Sequence, residues 1–214
     1  MRFTDRVDAG RRLADRLQGE LGPDAVVLGL PRGGVPVAYE VARALGLPLD
    51  VVVVRKLGLP YQPELAMGAV GEDVLVLNEH VLELARVDAA QLDAIERRER
   101  AEVERRTAGL RAGRRPVPIA GREVAVIDDG IATGSTARAA CQVVRARGAR
   151  RVVLAAPVAP SATPDALADA ADALVLLHVP ERFGAVGQFY VDFGQTTDEE
   201  VTALLALADE RPAE

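Results

Sequence analysis

Apolar residues in this chain gather in short, nearly unbroken runs separated by stretches with helical spacing. Ala25–Leu30, Leu49–Val54, Val124–Asp128, Arg151–Pro157 and Ala173–Val179 are such runs, of the length expected of strands buried on both faces. Residues 5–20 carry Val7, Leu13 and Leu17 among charges. Val35–Leu45, Ser135–Arg147 and Pro164–Ala170 repeat apolar positions at helical intervals, and Gly46 and Pro48 stop the first of these three. Repeated strand–helix units predict an α/β fold, a mostly parallel Rossmann-like sheet flanked by helices. Ligands of such sheets bind beyond the carboxyl ends of the strands.

Three stretches depart from this alternation. Arg55–Pro60 reads as a loop, followed by Leu65–Val70 and Val74–Leu77, which flank Gly71-Glu72 and predict a hairpin. Residues 79–112 are rich in Glu and Arg, with Ile95 and Val103 among the few apolar residues after Leu92. They predict one or two exposed helices projecting from the domain, ended by Pro116 and Pro118. Residues 180–196 are irregular, and Thr197-Asp198-Glu199-Glu200 opens a last helix with acid in its first turn. The organisation predicted is a single domain over 1–214, with a helical insertion at about 79–112 and a small hood at about 180–196.

Composition narrows the class. Of the 214 residues 49% are apolar and 27% charged, ordinary for a globular domain. Aromatics are 3% and Trp is absent, so Val, Leu and Ala must fill the core. The net charge of −6 argues against a dedicated nucleic-acid binder. Cys141 stands alone and reads as a small core residue, which excludes a disulfide framework. His80 and His178 lack metal-ligand spacing. Charges at Arg2, Asp5, Arg6 and Asp8 interrupt any leader-like apolar run, and no stretch approaches the ~20 apolar residues of a membrane helix. The expectation is a cytoplasmic protein.

The candidate chemistry centres on residues 123–139, EVAVIDDGIATGSTARA. An apolar run ends in Asp128 and Asp129, then Ala132, Thr133, Gly134, Ser135 and Thr136 form a small-residue turn into a helix. A helix N-terminus offers unpaired N–H groups and partial positive charge, which suit a phosphate. The carboxylates suit sugar hydroxyls or a hydrated metal ion. The same Thr, Ser and Gly also serve as plain helix caps in many α/β turns, and an acidic pair at a strand end is often merely solvated. A second strand-to-helix turn, Pro31-Arg32-Gly33-Gly34, lets the backbone approach an anion and adds a guanidinium, or else is a tight turn with a solvated Arg. Arg55 and Lys56 follow the next apolar run, as anion contacts or as surface charge.

The 123–139 segment resembles the 5-phosphoribosyl-1-pyrophosphate (PRPP) motif of type I phosphoribosyltransferases, and the 31–34 turn resembles their pyrophosphate loop. In that family this loop often contains a cis non-proline peptide. The basic residue after the second strand, followed by Pro63–Ala69, is similar to a bacterial subgroup without a settled substrate. The resemblance spans about residues 25–195. It implies Mg²⁺-dependent transfer of phosphoribosyl from PRPP to a nitrogen acceptor, usually a nucleobase, with release of pyrophosphate. It assigns Arg32, Gly33, Gly34, Arg55, Lys56, Asp128, Asp129, Ala132, Thr133, Gly134, Ser135 and Thr136 to PRPP. Asp128, Asp129, Arg32 and Lys56 take the catalytic roles, and Asp128 and Asp129 also meet the metal. Phe189 and Tyr190 are candidates to stack on the acceptor, or to pack the last helix onto the domain. Ala132 replaces the Asp of the 6-oxopurine branch, so it supplies no general base. The family also implies a possible homodimer and a lid from the 79–112 region. Two other readings stand beside this one: a non-catalytic PRPP sensor binding nucleic acid through the Arg-rich stretch 96–115, and a sugar-phosphate hydrolase, for which no convincing nucleophile is present.

Overall fold

The computed structural model describes residues 1–59 and 61–210, so Pro60, at the end of the expected loop, lies outside them. Its centre is a five-stranded parallel sheet in the order β2-β1-β6-β7-β8, formed by β1 (Val26–Gly29), β2 (Leu49–Val51), β6 (Glu123–Ile127), β7 (Arg151–Val158) and β8 (Ala173–His178). A separate antiparallel sheet contains β3 (Arg55–Leu59), β4 (Gln62–Gly71) and β5 (Val74–Leu77).

The strands are buried on both faces because each face has its own apolar layer. Val27, Ala125, Ile127, Val153 and Val175 join one cluster with α1 (Arg6–Leu17) and α2 (Gly34–Leu45). Val26, Leu28, Val124, Val126 and Leu154 join the other with α5 (Ser135–Ala146). In α1, Ala9, Leu13 and Leu17 recur every fourth residue and are buried, while Asp5 caps the helix by accepting from the Asp8 amide. Two short helices, α3 (Glu79–Ala85) and α6 (Thr163–Leu167), and a final one, α7 (Asp198–Asp209), complete the helical layers.

Two expectations change. The run Leu49–Val54 does not stay in one strand: β2 ends at Val51, and the predicted loop from Arg55 is β3 of the second sheet. Leu57 and Leu59 alternate into the core and tie β3 down, a signal that the flanking Arg, Lys and Gly hide. The insertion also does not simply project. Its long helix α4 (Ala89–Arg111) buries Val103, Thr107, Leu110 and Arg111, so its second half is docked. Arg111 donates to Asp50 at 2.9 Å and Glu72 at 2.5 Å, pinning the end of α4 to β2 and to the β4–β5 turn. No helix of the described residues is long and apolar enough to cross a membrane.

Candidate functional site

Strands β1 and β6 are hydrogen-bonded neighbours, with Gly29 opposite Ile127, so the two loops singled out in the sequence leave the sheet side by side. The loop after β1 carries Arg32-Gly33-Gly34 into α2, and the loop after β6 carries Asp128-Asp129 toward α5. They pack so closely that glycine is required. A Cβ on Gly33 would lie 2.0 Å from Asp129 Oδ2, and one on Gly34 would lie 2.6 Å from the Ile127 carbonyl. The Pro31–Arg32 peptide is cis.

The turn into α5 is open to solvent. Ala132, Thr133 and Thr136 are exposed, and Gly134, at φ 77°, is the N-cap and supplies no side-chain bond to the helix. Thr133 Oγ1 donates to Ser135 Oγ at 3.3 Å and accepts from the Ser135 amide at 3.4 Å, both long contacts. The start of α5 borders a cavity of about 220 Å³, lined by Thr133, Gly134, Ser135 and Arg138 from the turn and the helix and by Lys56 from β3.

Arg55 and Lys56 do not act together. Adjacent residues of a strand point to opposite faces. Lys56 borders the α5 cavity, whereas Arg55 turns to α4 and donates to Glu99 at 2.8 Å, forming an ion pair in which Arg98 also shares. Burial works to raise the Glu99 carboxyl, but the hydrogen bonds from these two arginines outweigh it and hold the group below its ordinary range. The expected PRPP contact at Arg55 thus starts from a guanidinium paired with Glu99 on the α4 side of β3.

The acidic pair lies in a partly enclosed position. Burial, then the neighbouring Asp129 charge, push the Asp128 carboxyl well above the ordinary carboxylate range. Burial also raises Asp129, against the pull of Arg6. Asp128 Oδ1 accepts from the Asp129 amide at 2.9 Å. Asp129 Oδ2 accepts from Arg6 Nε at 2.8 Å. Arg6 had no signal in the sequence beyond being one charge among several at the start of α1; only the packing of α1 across the sheet ends brings it here.

The aromatic residues redistribute. Tyr190 is 1% exposed, packs on Phe3 at 5.4 Å and donates its hydroxyl to the Asp129 carbonyl at 2.5 Å, so it has no ring face for a ligand. Burial pushes its phenol up. Phe189 stacks on Phe183 at 5.6 Å and meets the edge of His178. Phe193 is the aromatic beside the acidic pair. It lines, with Arg6, Arg32, Gly33, Asp129 and Thr196, a cavity of about 370 Å³. A second cavity of about 480 Å³ shares Arg6 and Gly194–Thr196 and extends to Tyr39 and Leu204.

Other expectations concern chemistry at a distance from this site. Cys141 is fully buried, and burial pushes its thiol up to about 12, consistent with a core residue. Along α4, Arg98, Arg100 and Arg105 pair with Glu99, Glu96 and Glu102, which offsets the basic character read from the sequence. Among the described residues no three His, Cys, Asp or Glu side chains converge as a metal site. Two carboxylates remain, the donor set that suits Mg²⁺ when a ligand's oxygens and water complete its shell.

Comparison with known proteins gives concordant results. A family model described as "Phosphoribosyl transferase domain" matches residues 3–193. Two Mycobacterium tuberculosis proteins, from strains CDC 1551 and H37Rv and each named "Putative phosphoribosyl transferase", are 56% identical over 204 residues, covering 95% of this chain and 46% of theirs. The chain spans about half the length of these relatives. The crystal structure of TT1426 from Thermus thermophilus superposes with a TM-score of 0.89 at 47% identity, covering 96% of this chain and 98% of that one.

Proposed function

This chain belongs to the phosphoribosyl transferase domain family, and on that premise we propose that it transfers the 5-phosphoribosyl group of PRPP to a nitrogen acceptor, a nucleobase being the first class to test, with release of pyrophosphate. The observation that carries this reading is the packing of Gly33 and Gly34 directly against Asp128 and Asp129 at adjoining strand ends, beside an α5 N-terminus with no side-chain cap from Gly134.

In this reading the amides and hydroxyls of Thr133, Gly134, Ser135 and Thr136 hold the 5-phosphate, with Lys56 across the cavity. Asp128 and Asp129 accept the ribose hydroxyls and face the positive charge that develops on the ring as the bond to pyrophosphate breaks. Arg32 and the amides of Gly33 and Gly34 face the negative charge that gathers on the leaving group. Asp128 and Asp129 would also hold Mg²⁺, which when bound offsets charge on pyrophosphate and orients the sugar. The Phe193–Thr196 segment walls the cleft on the side from which the acceptor would approach. No nucleophilic side chain is needed, since the acceptor nitrogen itself attacks.

The test is incubation with PRPP, Mg²⁺ and a panel of bases, following pyrophosphate. Release that depends on one base, and that is lost in Asp128→Asn/Asp129→Asn with an unchanged circular dichroism spectrum, is expected. PRPP binding without turnover on any base, or activity that survives the double substitution, would contradict the proposal.

A further inference from the structure

Arg6 makes three contacts that belong to different parts of the molecule. Its Nε donates to Asp129 Oδ2 at 2.8 Å, its Nη1 donates to the Gly194 carbonyl at 2.7 Å, and its guanidinium carbon lies 4.0 Å from the centre of the Phe193 ring. The Arg6 and Asp129 side chains are each only 13% exposed. Phe193 in turn packs on Tyr190 at 4.9 Å, and Tyr190 bonds the Asp129 carbonyl. The strap 190–196 therefore reaches the acidic pair at two points, through the Tyr190 hydroxyl at its start and through the Arg6 guanidinium at its Phe193–Gly194 part. Its Tyr190–Asp192 part is also tied to the chain start, by backbone bonds from the Val191 and Asp192 amides to Phe3 and Thr4, by the Arg2 Nε bond to the Tyr190 carbonyl at 3.1 Å and by packing of Tyr190 on Phe3.

The surroundings of Asp129 Oδ2 leave little space. On one side is Gly33, where even a Cβ would approach to 2.0 Å; on the other is Arg6. A cation or sugar hydroxyl that takes this oxygen competes with the guanidinium for it, and a cation also repels the guanidinium. We propose that Arg6 is a positioning residue that couples occupancy of the acidic pair to the strap: a ligand on Asp129 frees Arg6, and the strap loosens over the two cavities that Arg6 and Gly194–Thr196 share. This rests on the reading that Asp129 meets the sugar of PRPP. Arg6 acts through Asp129 and the strap, and it need not touch the reacting atoms.

Hydrogen exchange read by mass spectrometry on the full chain tests this, without ligand and with PRPP and Mg²⁺. In the wild type, exchange over 133–136 slows on adding PRPP, while exchange over 190–196 speeds by about tenfold, the scale of one lost charge-assisted hydrogen bond. In Arg6→Gln the strap already exchanges fast without ligand and PRPP does not change it further, yet protection at 133–136 persists. Phe193→Leu, which removes the ring under the guanidinium but no charge, is expected to speed strap exchange without ligand should Arg6→Gln not fold. Protection at 133–136 with unchanged or slowed exchange at 190–196 overturns this inference alone. A strap as slow in both variants as in the wild type overturns it too. No protection at 133–136 overturns the PRPP reading and this inference with it.

Discussion

Asp128 carries the sharpest energetic signature at the scale of single residues. Its folded-state proton affinity is raised above the ordinary carboxylate range by burial and by the charge of Asp129. A carboxyl raised in this way binds its proton more tightly when folded, so its contribution to stability is complete below the unfolded value and is lost as pH climbs to the folded one. Asp128→Asn removes that loss. The variant should melt higher than wild type at pH 8, with the difference vanishing toward pH 4. Thermal melts in chelator across that range are the check. Arg55 and Lys56 separate in the same way: Lys56→Ala should weaken PRPP binding by about tenfold or more, and Arg55→Ala by less than about twofold, measured by calorimetry. The acidic pair and both glycines were legible in the sequence because their chemistry is local. Arg6 was not, since nothing in the first turn of α1 says which distant carboxylate it will meet. Tyr190 and Phe193 lie three positions apart in one irregular segment, and no periodicity there separates the buried ring from the one at the cleft.

At the scale of elements, the close fit of two turns has a consequence. Gly33→Ala puts a methyl into the Asp129 carboxylate and should cost most of the PRPP binding, read by titration, while leaving the sheet intact by circular dichroism. The docked end of α4 is a second element with a testable role. Arg111 and Asp50 are 6% and 2% exposed, so Arg111→Ala leaves a buried carboxylate without its cation. The expected loss is ~3–5 kcal/mol, a fall of roughly 10 °C in the melting temperature. Arg98, which is exposed, should cost little when removed. The sequence showed the five parallel strands well, since runs buried on both faces need no partner information to be recognised. It hid β3 and the docking of α4 because each depends on a few apolar residues, Leu57 and Leu59 or Val103 and Leu110, set among charges whose partners are far along the chain.

For the whole molecule, the order β2-β1-β6-β7-β8 is what sets the loops after β1 and β6 side by side. Pairing β1 with β6 brings together loops almost a hundred residues apart, at the crevice where ligands of open parallel sheets bind. The chain start closes the other side: the Phe3 backbone bonds Phe189 and Val191, and Phe3 packs on Tyr190, so residues 189–191 rest on the N-terminal segment and α1 brings Arg6 to Asp129. The direct test of the account is a crystal structure of this chain soaked with ribose 5-phosphate and Mg²⁺. The account predicts phosphate density against the amides of 133–136 and ribose hydroxyls on Asp128 and Asp129. A ligand bound elsewhere, or strand ends left empty at saturating concentration, would contradict it.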